Sequence, residues 1–228
     1  MSPADPREIV LCIAPHPDDE TLGCGGTLLR HVAEGAEVHW LIVTSMDPAR
    51  GFTPERIARR DREIEEVALA YGFTAVHRTH LPTTRLDTVP KSDLVTAISQ
   101  VVQKVLPRTM YVPYRNDAHS DHAAVFDAAV ACTKSFRYPS IRKVLAYETL
   151  SETEFGMRTD DPGFRPNVFV DTSAWIDRKI GIMERYAGEM APFPFPRSRE
   201  CLQAQATLRG SQAGVSAAEA FMLLKEIR

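Results

Sequence analysis

Apolar residues along this chain fall into short runs, each followed by a polar loop and then a stretch of helical periodicity. Glu8 to Ala14 (EIVLCIA) is a continuous apolar run rich in β-branched residues, the pattern of a strand buried on both faces. Thr21 to Glu34 then places Leu22, Leu28, Leu29 and Val32 at helical positions, with Gly35 as a stop. Glu37 to Thr44 (EVHWLIVT) is a second buried strand, and Thr53-Pro54-Glu55 opens a long charged helix, with Pro54 in its first turn, that ends at Gly72. The alternation continues with a strand from Ala75 to His80, a helix from Ser92 to Leu106 capped by Ser92, and a strand from Thr109 to Tyr114. A helix from Ala123 to Ser135 and a strand from Lys143 to Tyr147 follow. Beyond Glu148 the pattern loosens into the short apolar run Asn167 to Asp171, a helix from Trp175 to Met190 and a proline-rich stretch from Ala191 to Pro196. Repeated βα units with short connections predict an α/β fold: a Rossmann-like, mostly parallel sheet with helices on both faces, formed as a single domain over residues 1–228.

Composition changes this picture little. With 44% hydrophobic and 25% charged residues the chain has enough apolar surface for one core and none of the bias of disorder or a coiled coil. A formal charge of −3 gives no broad electropositive face for a nucleic-acid backbone, so nucleic acid is not an expected partner. The first eight residues are polar, and the apolar run after them is too short to span a membrane and lacks a signal-peptide layout, which points to a cytoplasmic protein without a membrane span. Cys12, Cys24, Cys132 and Cys201 stand far apart with no Cys-x-x-Cys pair, the pattern of reduced and mostly buried thiols.

Two polar clusters carry the candidate chemistry. His16-Pro17-Asp18-Asp19-Glu20 follows the first strand, and Asn116-Asp117-Ala118-His119-Ser120-Asp121-His122 follows the strand ending at Tyr114. Both therefore lie at carboxyl ends of strands, and in an open parallel sheet those ends share the edge where ligand crevices form. His and Asp are the nitrogen and oxygen donors of open, three-ligand zinc sites, and bound zinc lowers the pKa of water from about 15.7 to about 7. His16 and His122 are the natural imidazole ligands; one aspartate of the Asp18-Asp19 pair completes the set and the other serves as base. His119 as an imidazolium is placed to donate to a developing oxyanion, with Asp121 orienting it. Taken singly, each cluster has a plainer explanation, since acids ahead of a helix favour its dipole and His-x-x-His recurs in surface loops. Their paired placement after two strands favours chemistry. Gly23, Gly25 and Gly26 make neither G-x-G-x-x-G nor a G-K-[ST] phosphate loop and are read as tight loop packing, which weakens the alternative of a nucleotide-binding module.

Ala14-Pro15-His16-Pro17-Asp18-Asp19-Glu20 with Gly23-Cys24-Gly25-Gly26 resembles the first motif of the PIG-L/LmbE-like zinc-dependent N-deacetylases. Pro113, Asp117, His119, Asp121 and His122 resemble the second, with further matches at Arg60-x-x-Glu63 and from Arg209-Gly210 to Ala218-Glu219-Ala220-Phe221. The resemblance implies hydrolysis of the acetamido group of an N-acetyl amino sugar or a sugar conjugate; other N-acyl amides or esters are the runner-up substrates. It implies His16, Asp19 and His122 as Zn2+ ligands, Asp18 as the general base that later protonates the leaving amine, and His119 as the oxyanion donor with Asp121 behind it. It also implies a homo-oligomer, a trimer or hexamer. The loop Leu81 to Asp87 departs from the family's shorter form. Arg60, Arg85 and Asp87 are the candidate contacts to sugar hydroxyls or to an anionic substituent, and Phe193-Pro194-Phe195-Pro196-Arg197 is a candidate crevice wall or subunit contact.

Overall fold

The computed structural model describes residues 7–157 and 159–228. Thirteen elements follow in chain order: β1 (Ile9–Ala14), α1 (Asp19–Ala33), β2 (Glu37–Ser45), α2 (Pro54–Tyr71), β3 (Ala75–Pro82), α3 (Lys91–Val105), β4 (Thr109–Pro113), α4 (Ser120–Ala131), β5 (Lys143–Tyr147), β6 (Val168–Asp171), α5 (Ile176–Met183), α6 (Arg199–Ala213) and β7 (Ala218–Glu226). The strands form one seven-stranded sheet in the order β3-β2-β1-β4-β5-β7-β6. Pairing is parallel from β3 through β5, and β7 runs antiparallel to both β5 and β6.

Alternate residues of each central strand serve opposite faces. Val10, Cys12 and Ala14 pack with Ile64 and Val67 of α2, Ile180 of α5 and Leu202 of α6, whereas Leu11 and Ile13 pack with Ile98 of α3 and Val125 of α4. Both sides of β1 are thus buried, which is why its sequence reads as an unbroken apolar run. Strand order reverses between β1 and β4, the two strands whose loops carry the polar clusters, so the expected switch-point crevice lies between them.

Several boundaries differ from the periodicity, each for a local reason. The first helix starts at Asp19, two residues early, because the Asp18 carbonyl already accepts from the Thr21 and Leu22 amides. The third is capped by the Pro90 carbonyl, which accepts from Asp93 and Leu94, while the Ser92 hydroxyl turns to Asp93. Residue 120 rather than 123 begins α4, because the His119 side chain caps it by accepting from the Asp121 amide at 3.1 Å. Asp121 and His122 therefore sit in a rigid first helical turn. The expected helix to Met190 stops at Met183, and the turns beyond it bring Tyr186 inward to donate to Glu20. The final helix and strand had no reading from periodicity.

Gly23, Gly25 and Gly26 lie inside α1 rather than in a loop, and they allow close packing there: a Cβ on Gly23 would overlap the Tyr147 ring. Helix α1 also breaks at Cys24 (φ −141°, ψ 21°), freeing the amides of Gly26 and Thr27, which the Glu219 carboxylate of β7 accepts at 2.9 and 2.7 Å. The same carboxylate meets the buried Lys179 ammonium at 2.7 Å. Cys12 and Cys24 are free thiols with sulfurs 3.4 Å apart, and they, like Cys132, are buried. Among the described residues no helix is long and apolar enough to cross a membrane.

Candidate active site

The loop after β1 is pinned before it delivers its side chains. The Pro15 carbonyl accepts from the Thr44 amide and hydroxyl, and the Pro17 carbonyl accepts from Arg60. Asp18 is held at φ 140°, a conformation unfavourable for any residue with a Cβ. Buried Glu20 holds it there: one carboxylate oxygen accepts from the Asp18 amide and the other from the Thr21 and Tyr186 hydroxyls. Burial lifts the Glu20 carboxyl to about 7.

Between the two clusters stands a compact donor set. Oδ2 of Asp19 lies 3.2 Å from His16 Nδ1 and 3.3 Å from His122 Nε2, and the three ligand atoms lie within 4.8 Å of one another. The opposite nitrogen of each imidazole is backed by a carboxylate: His16 Nε2 by Asp121 at 3.0 Å, His122 Nδ1 by Asp117 at 2.7 Å. Such backing fixes the tautomer, turning a lone pair of each ring toward the centre, and is the usual outer arrangement of metal-binding histidines. His16, His119 and Asp121 also lie close enough together to be considered as ligands. Hydrogen accounting rules against them: the Asp121 carboxylate already accepts from the amides of Thr84 and Leu86 as well as from His16, and His119 Nδ1 accepts from the Asp121 amide. The donors present therefore fit a divalent ion at His16, Asp19 and His122.

The electrostatics agree. Burial by itself lowers the His16 imidazole, but its hydrogen bonds to Asp121 and Asp19 outweigh this and raise it to about 9. His122 likewise is lowered by burial but raised further by the Asp19 charge and by Asp117, to about 10. At neutral pH without metal, both rings hold a proton, together the charge of one divalent ion. Metal binding must displace those protons, and competition from protons weakens as pH rises toward 9 and 10. Affinity for Zn2+ is accordingly expected to rise by up to about 100-fold from pH 7 to pH 8, with up to about two protons released per ion. Chelator-competition titration in weak buffer measures both. In the same assay Asp117→Ala is expected to lose about 10–100-fold in affinity, and pH-independent affinity with no proton release would contradict this site.

Asp18 is not in the group of close ligand atoms and is engaged by an arginine. Its Oδ2 accepts from Arg197 at 2.7 Å, and burial followed by the Asp19 charge raises its carboxyl to about 8 against the opposing pull of Arg197. His119 stands edge-on to His16 with ring centroids 4.5 Å apart. Burial and the nearby His16 charge lower His119 to about 4, which favours a neutral imidazole with Nε2–H as its donor over the expected imidazolium. Its orientation comes from the Asp121 backbone amide, whereas the Asp121 carboxylate serves His16.

A crevice of about 340 Å³ opens beside these groups, lined by His16, Asp18, His119, Arg60 and Arg197. Arg60 reaches it but is held by the Pro17 carbonyl, Glu63 and Glu189. Arg85 and Asp87 are exposed and are not among the residues lining it; the Leu81 to Asp87 loop joins the site through the Thr84 and Leu86 amides instead. Of the proline-rich stretch, Arg197 walls the crevice, touching Asp18, Glu189, Ser151 and Glu152. The stretch ending at Arg197 was read as a candidate wall without any link to Asp18, and Asp117 stood in its cluster without a role. Where nucleotide-binding folds offer bare amides to phosphate, the start of α1 presents the Asp19 and Glu20 carboxylates.

An α/β fold with a carboxylate-backed His-His-Asp donor set at its switch point, a buried aspartate beside it and a crevice in front defines a hydrolase-like centre. The chain belongs to the PIG-L family: its model, described as GlcNAc-PI de-N-acetylase, matches residues 11–133. The 1D-myo-inositol 2-acetamido-2-deoxy-alpha-D-glucopyranoside deacetylase of Kribbella flavida is 26% identical, over 83% of this chain and 85% of that protein. Among solved structures, the conserved protein TT1542 from Thermus thermophilus is 28% identical with a TM-score of 0.75, covering 96% of both chains. The N,N'-diacetylchitobiose deacetylase from Pyrococcus horikoshii shares the fold at a TM-score of 0.76 and 22% identity, covering 96% of this chain and 85% of that one.

Proposed function

We propose that this protein is a zinc-dependent N-deacetylase that hydrolyses the acetamido group of an N-acetyl amino sugar or sugar conjugate. The observation that carries the reading is the donor set of His16, Asp19 and His122, each imidazole backed by its own carboxylate, with Asp18 beside it at the head of the crevice. Family membership and the sugar substrate named for the Kribbella relative support the choice of amide and of sugar. A divalent ion held there supplies a Lewis acid that polarises the amide carbonyl and acidifies water.

The remaining work falls to side chains of this chain. Asp18, fixed by Glu20 and Arg197 and ionised as pH rises through about 8, in that form takes the proton from the attacking water and returns it to the departing amine. The His119 Nε2–H donates to the carbonyl oxygen as negative charge develops on it, the opposite ring nitrogen being held by the Asp121 amide. Arg197 and Arg60, tied together through Glu189, close the wall behind Asp18.

Acetate release from a panel of N-acetylated sugars and glycosides, measured before and after chelation, tests the reading. The expected result is release that chelation abolishes and added Zn2+ restores. Activity indifferent to chelation, or confined to a different acyl group or an ester, would overturn it.

A further inference from the structure

The crevice does not end at the proposed catalytic groups. It continues along α2, where Arg60 touches the Pro17 carbonyl at the inner end. One turn nearer the start of that helix, about 6 Å along its axis at ~1.5 Å per residue, Arg56 lines the same crevice. Its guanidinium lies over the Phe52 ring, 5.2 Å from the centroid. From β3, Arg78 and His80 line the same crevice. They are two residues apart, and His80 is bonded to Ser45.

The four arginines of this crevice differ in what they hold. Arg60 is engaged by Glu63 and Glu189, Arg197 by Asp18 and Glu189, and Arg78 by Asp61 at 2.6 Å. Among the described residues Arg56 has no carboxylate partner. With Arg78 balanced by Asp61, Arg56 is left among the described residues as the guanidinium of this crevice without a counter-charge, on a chain whose net charge is −3. A guanidinium stacked on an aromatic ring keeps its planar fork of donors in a fixed orientation, which suits the two oxygens of a phosphate or carboxylate.

Resting on the deacetylase reading above, we infer that the substrate is an N-acylated amino sugar carrying an anionic group, a phosphate or a carboxylate, and that Arg56, braced on Phe52, is the seat of that group. The acetamido end lies at Asp18 and His119, the ring along α2, and the anion at the outer mouth. Arg56 is thereby a specificity-determining residue and takes no part in the bond cleavage.

The test compares kcat/KM for N-acetylglucosamine, its 1-phosphate, its 6-phosphate and N-acetylmuramic acid in the wild type, Arg56→Gln and Arg56→Lys. The wild type is expected to favour at least one anionic sugar over the neutral one by about tenfold or more, the scale of one charge-assisted contact. Arg56→Gln collapses that ratio toward one, chiefly through KM, and Arg56→Lys restores part of it. Equal kcat/KM on neutral and anionic sugars in the wild type, or a ratio unchanged in Arg56→Gln, overturns the assignment. Calorimetric binding of glucosamine, glucosamine 1-phosphate, glucosamine 6-phosphate and muramic acid to wild type and Arg56→Gln needs no turnover. Arg56-dependent binding of an anionic form without any acetate release keeps the anion seat and removes the deacetylase reading. Equal binding of the neutral and anionic forms removes the seat whatever the activity.

Discussion

Asp18→Asn is expected to lower kcat for acetate release by about 10²–10⁴-fold, the usual contribution of a positioned acid–base group, while the protein retains its metal. The substitution keeps the shape of the side chain, so the Asp18 backbone at φ 140° and its amide bond to Glu20 have no reason to move. What disappears is an oxygen able to accept a proton and release it later. Asp18 bonds Arg197 and lies outside the group of close ligand atoms, which separates its loss from the loss of a ligand. Metal analysis and kcat measured on one preparation decide the matter. A variant that loses metal and activity together would make Asp18 a ligand, and one that keeps wild-type kcat would remove it from the proton path.

The largest stability effect is expected far from any substrate. Glu219→Ala should cost about 3–5 kcal/mol, because it strands a buried ammonium without its counter-charge. Lys179 and Glu219 are each only about 5% exposed at the side chain, and Glu219 also accepts both amides freed by the α1 break. Urea denaturation of the wild type and Glu219→Ala measures the loss. Lys179→Met in the Glu219→Ala background should recover part of it but not all, since the Gly26 and Thr27 amides remain without their acceptor. A loss under about 1 kcal/mol, the scale of an exposed pair, would show that water reaches this cluster. Because α1 begins at Asp19, the same variant is expected to weaken metal retention as the helix loosens.

Glu219 illustrates where local pattern stops being informative. Its strand is a mixed run of nine residues, Ala218 to Glu226, that pairs with β5 and β6 only after the whole chain has been threaded. Nothing in residues 218–226 specifies insertion between two earlier strands, so the antiparallel edge of the sheet was not legible. The β1 to β5 region was, because strands buried on both faces and amphipathic helices write their burial into adjacent residues. Boundaries near the site shifted for a similar reason: His119 and Pro90 cap helices through geometry that propensity does not register.

The sequence by itself determined the βα alternation, the placement of two His/Asp clusters at strand ends, and the donor chemistry those clusters offer. These are short-range properties, carried by residue type and spacing. Only the tertiary structure decided how that chemistry is divided. Asp121 and Asp117 are both aspartates a few residues from a histidine, yet folding sends one across to His16 and the other to His122, so that both rings turn their other nitrogen toward Asp19. Asp18 and Asp19 are neighbours, yet one faces the histidines and the other an arginine 179 residues away. Among equivalent carboxylates, the choice of hydrogen-bond partner depends on distances that packing sets and sequence separation does not constrain, and for that reason the roles emerged with the fold.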